Sequence, residues 1–324
     1  MALEEYKDKM ELITFGETMV LFNPDSTGPL RYIHNFSKSI AGAESNVAIA
    51  LARLGHNVGW FSKLGNDEFG RYIQSVIRGE GVDVSRVVTD YEKSTGLLFK
   101  ERFAHANPNV YYYRRYSAAS DISLDDIDID YIKSSKILHV TGITLALSEK
   151  TRETAFKVIE IAKENKCLIS FDPNIRLKLW NIKEAKSVIL EMAKMADIVF
   201  PGADEGRQLL DTEDPIEIGK AFLNMGSSIV AVKLGKEGCY ITGKGQEEFI
   251  EGYVIDKPED TVGAGDGFAA GFLSGILKDY SLIECGKLAN AVGAMATLVK
   301  GDMEGFPTIT QVREFMGIEK YVDR

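Results

Sequence analysis

Short apolar segments rich in β-branched residues alternate with helical segments along most of this 324-residue chain. Six of these segments are predicted to be strands, at 11–17, 58–65, 135–142, 167–173, 196–202 and 228–235. The predicted helices lie at 43–55, 149–165, 183–195, 203–211, 215–226, 265–278 and 284–300. Continuous apolar strands separated by helices form a mostly parallel sheet that helices cover on both faces. The pattern therefore predicts an α/β fold of three layers, built as a single domain over residues 1–324.

The ends of the predicted strands indicate where a ligand binds. In open parallel sheets, ligands occupy the crevice at the carboxyl ends of the strands. Asp172, Asn174, Gly202 and Gly235 stand at or just after such ends. We therefore expect the functional site to lie along this edge of the sheet.

Two segments depart from the alternation of strand and helix. Residues 18–38 and 91–120 are polar and aromatic and alternate in the way that antiparallel strands do. Neither contains an obvious helix between its strands. We expect them to form a small β-sheet that projects from the central sheet and acts as a lid.

Composition and charge exclude several classes of function. The formal net charge is −10, which argues against nucleic acid or an anionic membrane as a partner. The three cysteines are far apart and lack metal-ligand spacing, so reduced, buried thiols are expected. The N-terminal stretch has no apolar core of a signal peptide, and no apolar run is long enough to span a membrane. We expect a cytoplasmic protein.

The stretch "EDTVGAGDGFAAGFL", residues 259–273, is the strongest chemical signal. Its glycines permit close approach of the backbone to a ligand, and the helix that follows begins with N–H groups that favour an anion. A carboxylate within an anion site makes sense if Asp266 faces a hydroxyl while the amides hold phosphate charge. This arrangement suits phosphoryl transfer to an alcohol.

Two motifs resemble those of the ribokinase-like, or PfkB, family of sugar kinases. "DTVGAGDGFAAGFL" resembles the C-terminal motif of the family and "AGAESNVAIALARLG", residues 41–55, resembles its N-terminal motif. The resemblance covers roughly residues 11–312. It implies a ribokinase-like fold with a β-sheet lid, ATP as cosubstrate and Mg²⁺ as metal, and it leaves activation by a monovalent cation open. It also implies that Asp266 is the general base and that the backbone of Gly263, Ala264 and Gly265 forms the anion hole.

The predicted lid and one strand end carry arginines that would suit an acidic acceptor. In "YYYRRY", strand periodicity places Tyr112 and Arg114 on one face and Tyr111 and Tyr113 on the other. Arg176 follows a strand whose carboxyl end faces the expected cleft. A neutral sugar needs no cation, whereas arginine binds a carboxylate through two hydrogen bonds.

Four stretches sharpen the resemblance: "AGAESN", "YYYRR", "FDPNIRLKLW" and "KLGKEG" are similar to the branch of the family that phosphorylates 2-keto-3-deoxygluconate on its 6-hydroxyl. The resemblance implies that several residues contact this sugar acid, namely Gly42, Asn46, Tyr112, Arg114, Arg176 and Asp266. Asp302, in "KGDMEG", is a further expected contact.

The nucleotide and the metal are assigned by the same resemblance. Residues of "VKLGKEG" and one helical position are expected to bind nucleotide: Lys233, Gly235, Gly238 and Asn290. The family commonly carries Asn-x-x-Glu after the strand at 196–200. Here the stretch is "PGADEG", with Gly202 at the asparagine position and Glu205 retained. Glu205 is therefore the expected metal-associated residue, acting through water.

Alternatives within and outside kinase chemistry remain at this stage. A fructokinase, or another hexose or pentose kinase of the family, would share the same motifs. A non-catalytic sugar sensor could keep the fold, although it would have no need of Asp266. We also expect the chain to form a homo-oligomer through its lid sheet, because exposed aromatic strands pair readily with another copy.

Overall fold

The computed structural model describes residues 10–102 and 109–319. Residues 1–9, 103–108 and 320–324 of the predicted domain and lid lie outside the described residues. The strands are β1 Leu12–Phe15, β2 Met19–Pro24, β3 Phe36–Ala41, β4 Val58–Phe61, β5 Lys63–Gly65, β6 Val88–Asp90, β7 Leu97–Lys100, β8 Val110–Tyr113, β9 Ile137–Thr141, β10 Leu168–Asp172, β11 Ile198–Val199, β12 Ile229–Lys233, β13 Gly238–Gly243 and β14 Gln246–Glu251.

Helices follow most strands of the central sheet, as the alternating pattern predicted. They are α1 Ala43–Arg53, α2 Glu68–Gly79, α3 Ile129–Lys133, α4 Gly142–Ala146, α5 Glu149–Glu164, α6 Ile182–Ala193, α7 Ala203–Leu210, α8 Pro215–Met225, α9 Ala264–Leu277, α10 Leu282–Ala296 and α11 Ile309–Phe315. Side chains cap several of these helices. Ser148, for example, accepts a hydrogen bond from the N–H of Thr151 at the start of α5, which satisfies a donor that the helix itself leaves free.

The central sheet has eight strands in the order β14-β13-β12-β11-β10-β9-β1-β4. The six strands from β12 to β4 are parallel, and β13 and β14 extend the sheet in antiparallel fashion. The prediction of a mostly parallel sheet is confirmed. Because the parallel strands end at one edge, the loops after β1, β10, β11 and β12 meet there.

The hydrophobic core lies in two layers, one on each face of this sheet. Alternate residues of β1 show the division, since Leu12 packs with helices α1 and α9 while Ile13 packs with α5 and α6. Both side chains are completely buried. Burial on both faces explains why the strands are continuously apolar, and it confirms the three-layer architecture.

A second sheet of four strands, in the order β3-β2-β7-β8, forms the lid. Its strands fall within the predicted segments 18–38 and 91–120, apart from the end of β3. One expectation was wrong: β2 and β7 are parallel, whereas β2–β3 and β7–β8 are antiparallel. The parallel pair arises because α1 and α2 lie between β2 and β7 in the chain, so these two strands are not joined by a hairpin.

Two further sequence expectations concern the thiols and the membrane. Cys167, Cys239 and Cys285 are buried and free, as expected, and burial raises the pKa of each thiol above its ordinary value. Within residues 10–102 and 109–319, no helix is long and apolar enough to cross a membrane.

Candidate active site

The glycine-rich loop leads into α9, and its geometry exposes backbone N–H groups. Gly263 is the N-cap, with φ of 80° in the left-handed region that favours glycine. A Cβ on Gly263 would stand 2.1 Å from the carbonyl oxygen of Asp302, so no side chain fits. The N–H of Gly267 closes the first turn on Gly263, whereas the N–H groups of Gly265 and Asp266 have no acceptor in the described part of the chain. These two donors lie at the positive end of the helix and can bind an anion. Of the predicted anion-hole residues, Ala264 differs, because its N–H donates to the carbonyl oxygen of Thr261 over 3.4 Å.

Asp266 lies in the first turn of α9 and is held by α1. The side-chain amide of Asn46 donates a hydrogen bond of 2.8 Å to Oδ2 of Asp266. Burial raises the pKa of Asp266 to about 7, with a further rise from Asp172 that the Asn46 hydrogen bond and two nearby cations partly offset. A carboxylate with this pKa can accept a proton from an alcohol at neutral pH. Oδ1 of Asn46 is buried and has no donor among the described residues, so it can accept a hydrogen bond from a ligand hydroxyl.

A cavity of about 840 Å³ lies between the lid and the carboxyl edge of the sheet. It brings together nearly all of the residues that the sequence analysis assigned to the acceptor, the anion hole and the metal. They are Gly42, Asn46, Tyr112, Arg114, Arg176, Glu205, Gly263, Gly265, Asp266 and Asp302. These residues come from the start of α1, the lid, the loop after β10, α7, the α9 loop and the loop after α10, so only the tertiary fold assembles them.

A second cavity of about 370 Å³ adjoins the first on the side of α10. It is lined by Ala264 and by the residues expected to bind nucleotide, namely Lys233, Gly235, Gly238 and Asn290. Lys233, Thr261 and Gly265 line both cavities. Outside its own helix, a Cβ on Gly265 would meet Lys233 Nζ, at 3.8 Å, and no other atom of the described residues within 4 Å. The free N–H of Gly265 and the ammonium of Lys233 thus stand where the two cavities meet.

Lys233 is held in the centre of an acidic cluster. Its Nζ is 2.6 Å from Oδ2 of Asp172, and the carboxylates of Glu205 and Asp266 also act on it. Burial opposes its charge, but the three carboxylates outweigh burial and raise the pKa of Lys233 above its ordinary value. The side chain therefore remains a cation at neutral pH.

Glu205 is already engaged by the protein backbone. Its Oε1 accepts from the N–H of Ile175 over 2.9 Å, and its Oε2 accepts from the N–H of Gly202 over 2.8 Å. Burial raises the pKa of Glu205, while Lys233 opposes that rise. No group of three or more potential ligands stands ready to hold a metal within the described ranges. The oxygen donors of Glu205 and Asp172 fit a Mg²⁺ ion that keeps its waters and binds mainly to phosphates.

Two of the expected nucleotide residues have evident structural duties. The amide of Asn290 donates to the carbonyl oxygens of Ile250 and Glu251, at 3.1 and 3.0 Å, and so joins α10 to β14. Gly238 has φ of 106°, and a Cβ there would stand 2.0 Å from the carbonyl oxygen of Ile250. Gly235, by contrast, has open space on its Cβ side. Asn290 thus lines the cavity with both of its amide hydrogens in use.

The lid contributes Tyr112 and Arg114 to the larger cavity, whereas Tyr111 and Tyr113 lie on the opposite face of β8. Arg114 is buried against Glu17, with Nε and Nη2 each 2.5 Å from Oε2 of that carboxylate. Nη2 has no well-aligned acceptor in the described structure, so the guanidinium can still donate toward a ligand.

Asp302 is also paired across the cavity. Its Oδ1 accepts a hydrogen bond of 3.1 Å from Lys100 at the end of β7. Because Lys100 belongs to the lid and Asp302 to the loop that abuts Gly263, this pair fastens the lid over the anion site.

Four charged residues that line the cavity were not predicted from the sequence, and Asp204 in the first turn of α7 is one of them. Glu17 ends the first apolar strand segment, Lys100 lies in the lid, and Lys178 follows Arg176 by two residues in the loop after β10. The signal for Lys178 was available, because it shares the strand-end loop that singled out Arg176. Glu17 and Lys100 gave no local signal, since their partners are distant in sequence.

Comparisons with known proteins give the family and the fold of this chain. The sequence profile of the pfkB family of carbohydrate kinases matches residues 9–309. The chain is 42% identical over 316 residues to the 2-dehydro-3-deoxygluconokinase of Bacillus subtilis, which covers 97% of this chain and 98% of that protein.

Solved structures share the fold over nearly the full length. A PfkB protein from Polaromonas sp. JS666 superposes with a TM-score of 0.87 at 39% identity, covering 94% of this chain and 99% of that one. A ribokinase II from E. coli, solved with ATP and Mg²⁺, superposes with a TM-score of 0.88 at 25% identity, covering 96% and 100%. The chain therefore belongs to the pfkB family of carbohydrate kinases, phosphotransferases with a ribokinase-like fold.

Proposed function

We propose that this protein is an ATP-dependent kinase of a sugar acid, 2-keto-3-deoxygluconate, and that it phosphorylates the terminal 6-hydroxyl. The observation that carries the proposal is the placement of Asp266. Its carboxyl group lines the larger cavity, beside free N–H groups at the junction with the second cavity. The proposed base for the alcohol therefore lies next to the proposed anion hole for the phosphoryl group.

In the proposed mechanism, Oδ2 of Asp266 is fixed by Asn46, and the other carboxylate oxygen is left to orient the hydroxyl and accept its proton late in the transfer. The N–H groups of Gly265 and Asp266 and the ammonium of Lys233 stabilise the charge that develops on the transferring phosphoryl group. The protein contributes mainly position and electrostatics, because phosphoryl transfer requires little covalent chemistry from side chains.

Mg²⁺, when bound to the phosphates, would supply further positive charge at the same junction. Asp172 and Glu205 are the residues that would face it, through water. The E. coli relative was solved with ATP and Mg²⁺, which supports these two as cosubstrate and metal here.

The acidic nature of the acceptor is supported by the cations of the larger cavity. Arg176 is exposed and Arg114 retains a free donor, so both can bind a carboxylate. The Bacillus subtilis relative carries the name 2-dehydro-3-deoxygluconokinase, which denotes the same sugar acid. A neutral hexose would leave Arg176 without a carboxylate partner among the described residues and the ligand.

The test is a turnover assay with purified protein, ATP and Mg²⁺ across 2-keto-3-deoxygluconate, gluconate, fructose and ribose. We expect a clear preference for 2-keto-3-deoxygluconate, with the phosphate found on carbon 6 by nuclear magnetic resonance. Preference for fructose or ribose would instead support a neutral-sugar kinase. Tight sugar binding without ADP formation would support a sensor.

A matched variant tests the role of Asp266. We expect Asp266→Asn to lower kcat by about 10²–10⁴-fold while the affinity for ATP changes little, because the base is lost and the nucleotide cavity is kept. Near-normal turnover by this variant would exclude Asp266 as the base.

We also propose that the chain forms a homo-oligomer through its lid. Tyr113 and Tyr116 are 66% and 72% exposed and lie in or just after the last lid strand, where a second copy could cover them. Light scattering on the wild type and on Tyr113→Glu tests this proposal. We expect a dimer or larger assembly that the substitution weakens; a monomeric wild type would refute it.

A further inference from the structure

The larger cavity is lined by five cationic side chains, and most of them are neutralised within the protein. The five are Lys100, Arg114, Arg176, Lys178 and Lys233. Three have a carboxylate partner at 2.5 to 3.1 Å: Glu17 for Arg114, Asp172 for Lys233 and Asp302 for Lys100. A ligand carboxylate approaching one of these three pairs would meet a site whose charge is already balanced.

Arg176 and Lys178 are different, because neither has a carboxylate within ion-pair distance in residues 10–102 and 109–319. The polar contact of Arg176 is with the carbonyl oxygen of the adjacent Ile175, at 3.4 Å. Both belong to the loop after β10, at the carboxyl edge of the sheet, and both side chains are exposed toward the cavity. The unbalanced positive charge of the cavity is therefore concentrated at this loop.

Lys178 is held in place by the lid. Its Nζ donates a hydrogen bond of 3.0 Å to the carbonyl oxygen of Val110 and lies 5.6 Å from the ring centre of Tyr112. The guanidinium of Arg114 lies at the same distance from that ring. A lysine ammonium carries three donors, so two remain for a ligand while one holds Val110.

We propose that Lys178 binds the carboxylate of the acceptor together with Arg176, and that it determines the preference for a sugar acid over a neutral sugar. The inference rests on the proposed function, because it assigns a recognition residue to the acceptor of that reaction. The physical reason is that a ligand carboxylate gains a full charge-assisted hydrogen bond from a cation that has no carboxylate partner in the described protein. A cation that already pairs with a protein carboxylate offers a weaker interaction. The hydrogen bond to Val110 fixes the ammonium beforehand, which reduces the entropy lost when the ligand binds.

The experiment compares Lys178→Met with the wild type and with Lys183→Met, a matched control on the exposed start of α6. Binding of 2-keto-3-deoxygluconate and of its methyl ester is measured by calorimetry without ATP, and steady-state kinetics follow with ATP. The ester keeps the carbon skeleton and removes the charge. Thermal unfolding of each variant monitors folding.

We expect Lys178→Met to raise both Kd and KM for the acid by about tenfold or more. A tenfold change corresponds to the lower end of the free energy that a charge-assisted hydrogen bond contributes. Affinity for the ester and KM for ATP should stay within about twofold, and Lys178→Arg should recover most of the affinity for the acid. Lys183→Met should match the wild type in every measurement.

Two results would overturn the inference alone. The first is an unchanged affinity of Lys178→Met for the acid, and the second is an equal loss for acid and ester, which would indicate a general effect on the cavity. Both are distinct from failure of the proposed function, which the wild type by itself reveals if it neither binds nor phosphorylates the acid. That outcome would overturn both proposals.

Discussion

The side-chain amide of Asn46 hydrogen-bonds Oδ2 of Asp266 over 2.8 Å, although 220 residues separate them in the chain. The contact joins the first turns of α1 and α9, the helices that carry the two family motifs. It restrains the orientation of the carboxylate, and it favours the ionised form. One hydrogen bond therefore connects the two family motifs at the carboxyl group of Asp266.

The pKa of Asp266 predicts the pH dependence of the reaction. Since burial raises this pKa to about 7, kcat/KM should fall about tenfold per pH unit below that value and level off above it. Asn46→Ala removes a hydrogen bond that lowers the pKa, so the acidic limb should move to higher pH. Rates measured from pH 5.5 to 9 test both statements. A flat profile in the wild type would contradict the assignment.

Two glycines of the anion site should respond differently to the same substitution. Gly265→Ala should leave the melting temperature nearly unchanged, because the added methyl group has ordinary van der Waals contact with Lys233 Nζ at 3.8 Å and no close contact with the other described residues outside its helix. It should lower kcat, because the methyl group would occupy the proposed phosphoryl position. Gly263→Ala should also unfold more easily, by about 1–3 kcal/mol, because φ is 80° and Asp302 is too close. Measurements of turnover and thermal unfolding for the two glycine variants test this prediction. Equal stability losses would be inconsistent with this geometry.

Removing Lys233 should destabilise the fold. Lys233→Met leaves Asp172, which is 1% exposed, without its cation, and loss of one partner of a buried pair costs about 3–5 kcal/mol. Lys233→Met combined with Asp172→Asn should recover part of that loss, since no unpaired charge remains. Urea denaturation of the two variants measures the difference. A double variant less stable than the single one would argue against the pair.

Glu44 provides a test of stability against pH. It is fully buried on α1, where Oε1 accepts from Thr141 and Thr144 at 2.7 and 2.6 Å and Oε2 has no partner in the described structure. Burial raises the pKa of Glu44 above its ordinary value of 4.5. Its contribution to stability is therefore fully present below about pH 4.5 and is lost as pH rises through the folded pKa.

Glu44→Gln should remove that dependence, because glutamine stays neutral at every pH. Relative to the wild type, the free energy of unfolding of the variant should rise between pH 4.5 and 8. Denaturation curves at several pH values provide the comparison. A difference that does not vary with pH would show that Glu44 is ionised to the same degree in both states.

Local patterns predicted the parts of the fold that local physics controls. The apolar strands predicted a parallel sheet buried on both faces. The run from Gly263 to Asp266 predicted a helix that begins with free N–H groups. The alternation in the lid segments predicted strands, but it did not predict which pairs of strands are parallel and which are antiparallel. The parallel pairing of β2 with β7 depends on where α1 and α2 pack, which no short window of sequence contains.

The charges of the cavity show the same division. Arg114 and Arg176 were equivalent as sequence, yet Glu17 neutralises the first, while no carboxylate in the described part of the chain pairs with the second. The sequence indicated Asn290 as a site residue, but it did not indicate that its amide binds the backbone. Its two acceptors belong to a strand that only folding brings near.

The sequence by itself determined the three-layer architecture, the family and the position of the glycine-rich loop before α9, since these depend on periodicity and on residue types at short spacing. Tertiary structure alone decided which charges cancel, which carboxyl group has a pKa near neutrality, and which lysine of the cavity has no carboxylate partner among the described residues. The physical reason is that electrostatic interaction and burial depend on distance in space, and the deciding partners lie tens to hundreds of residues apart along the chain.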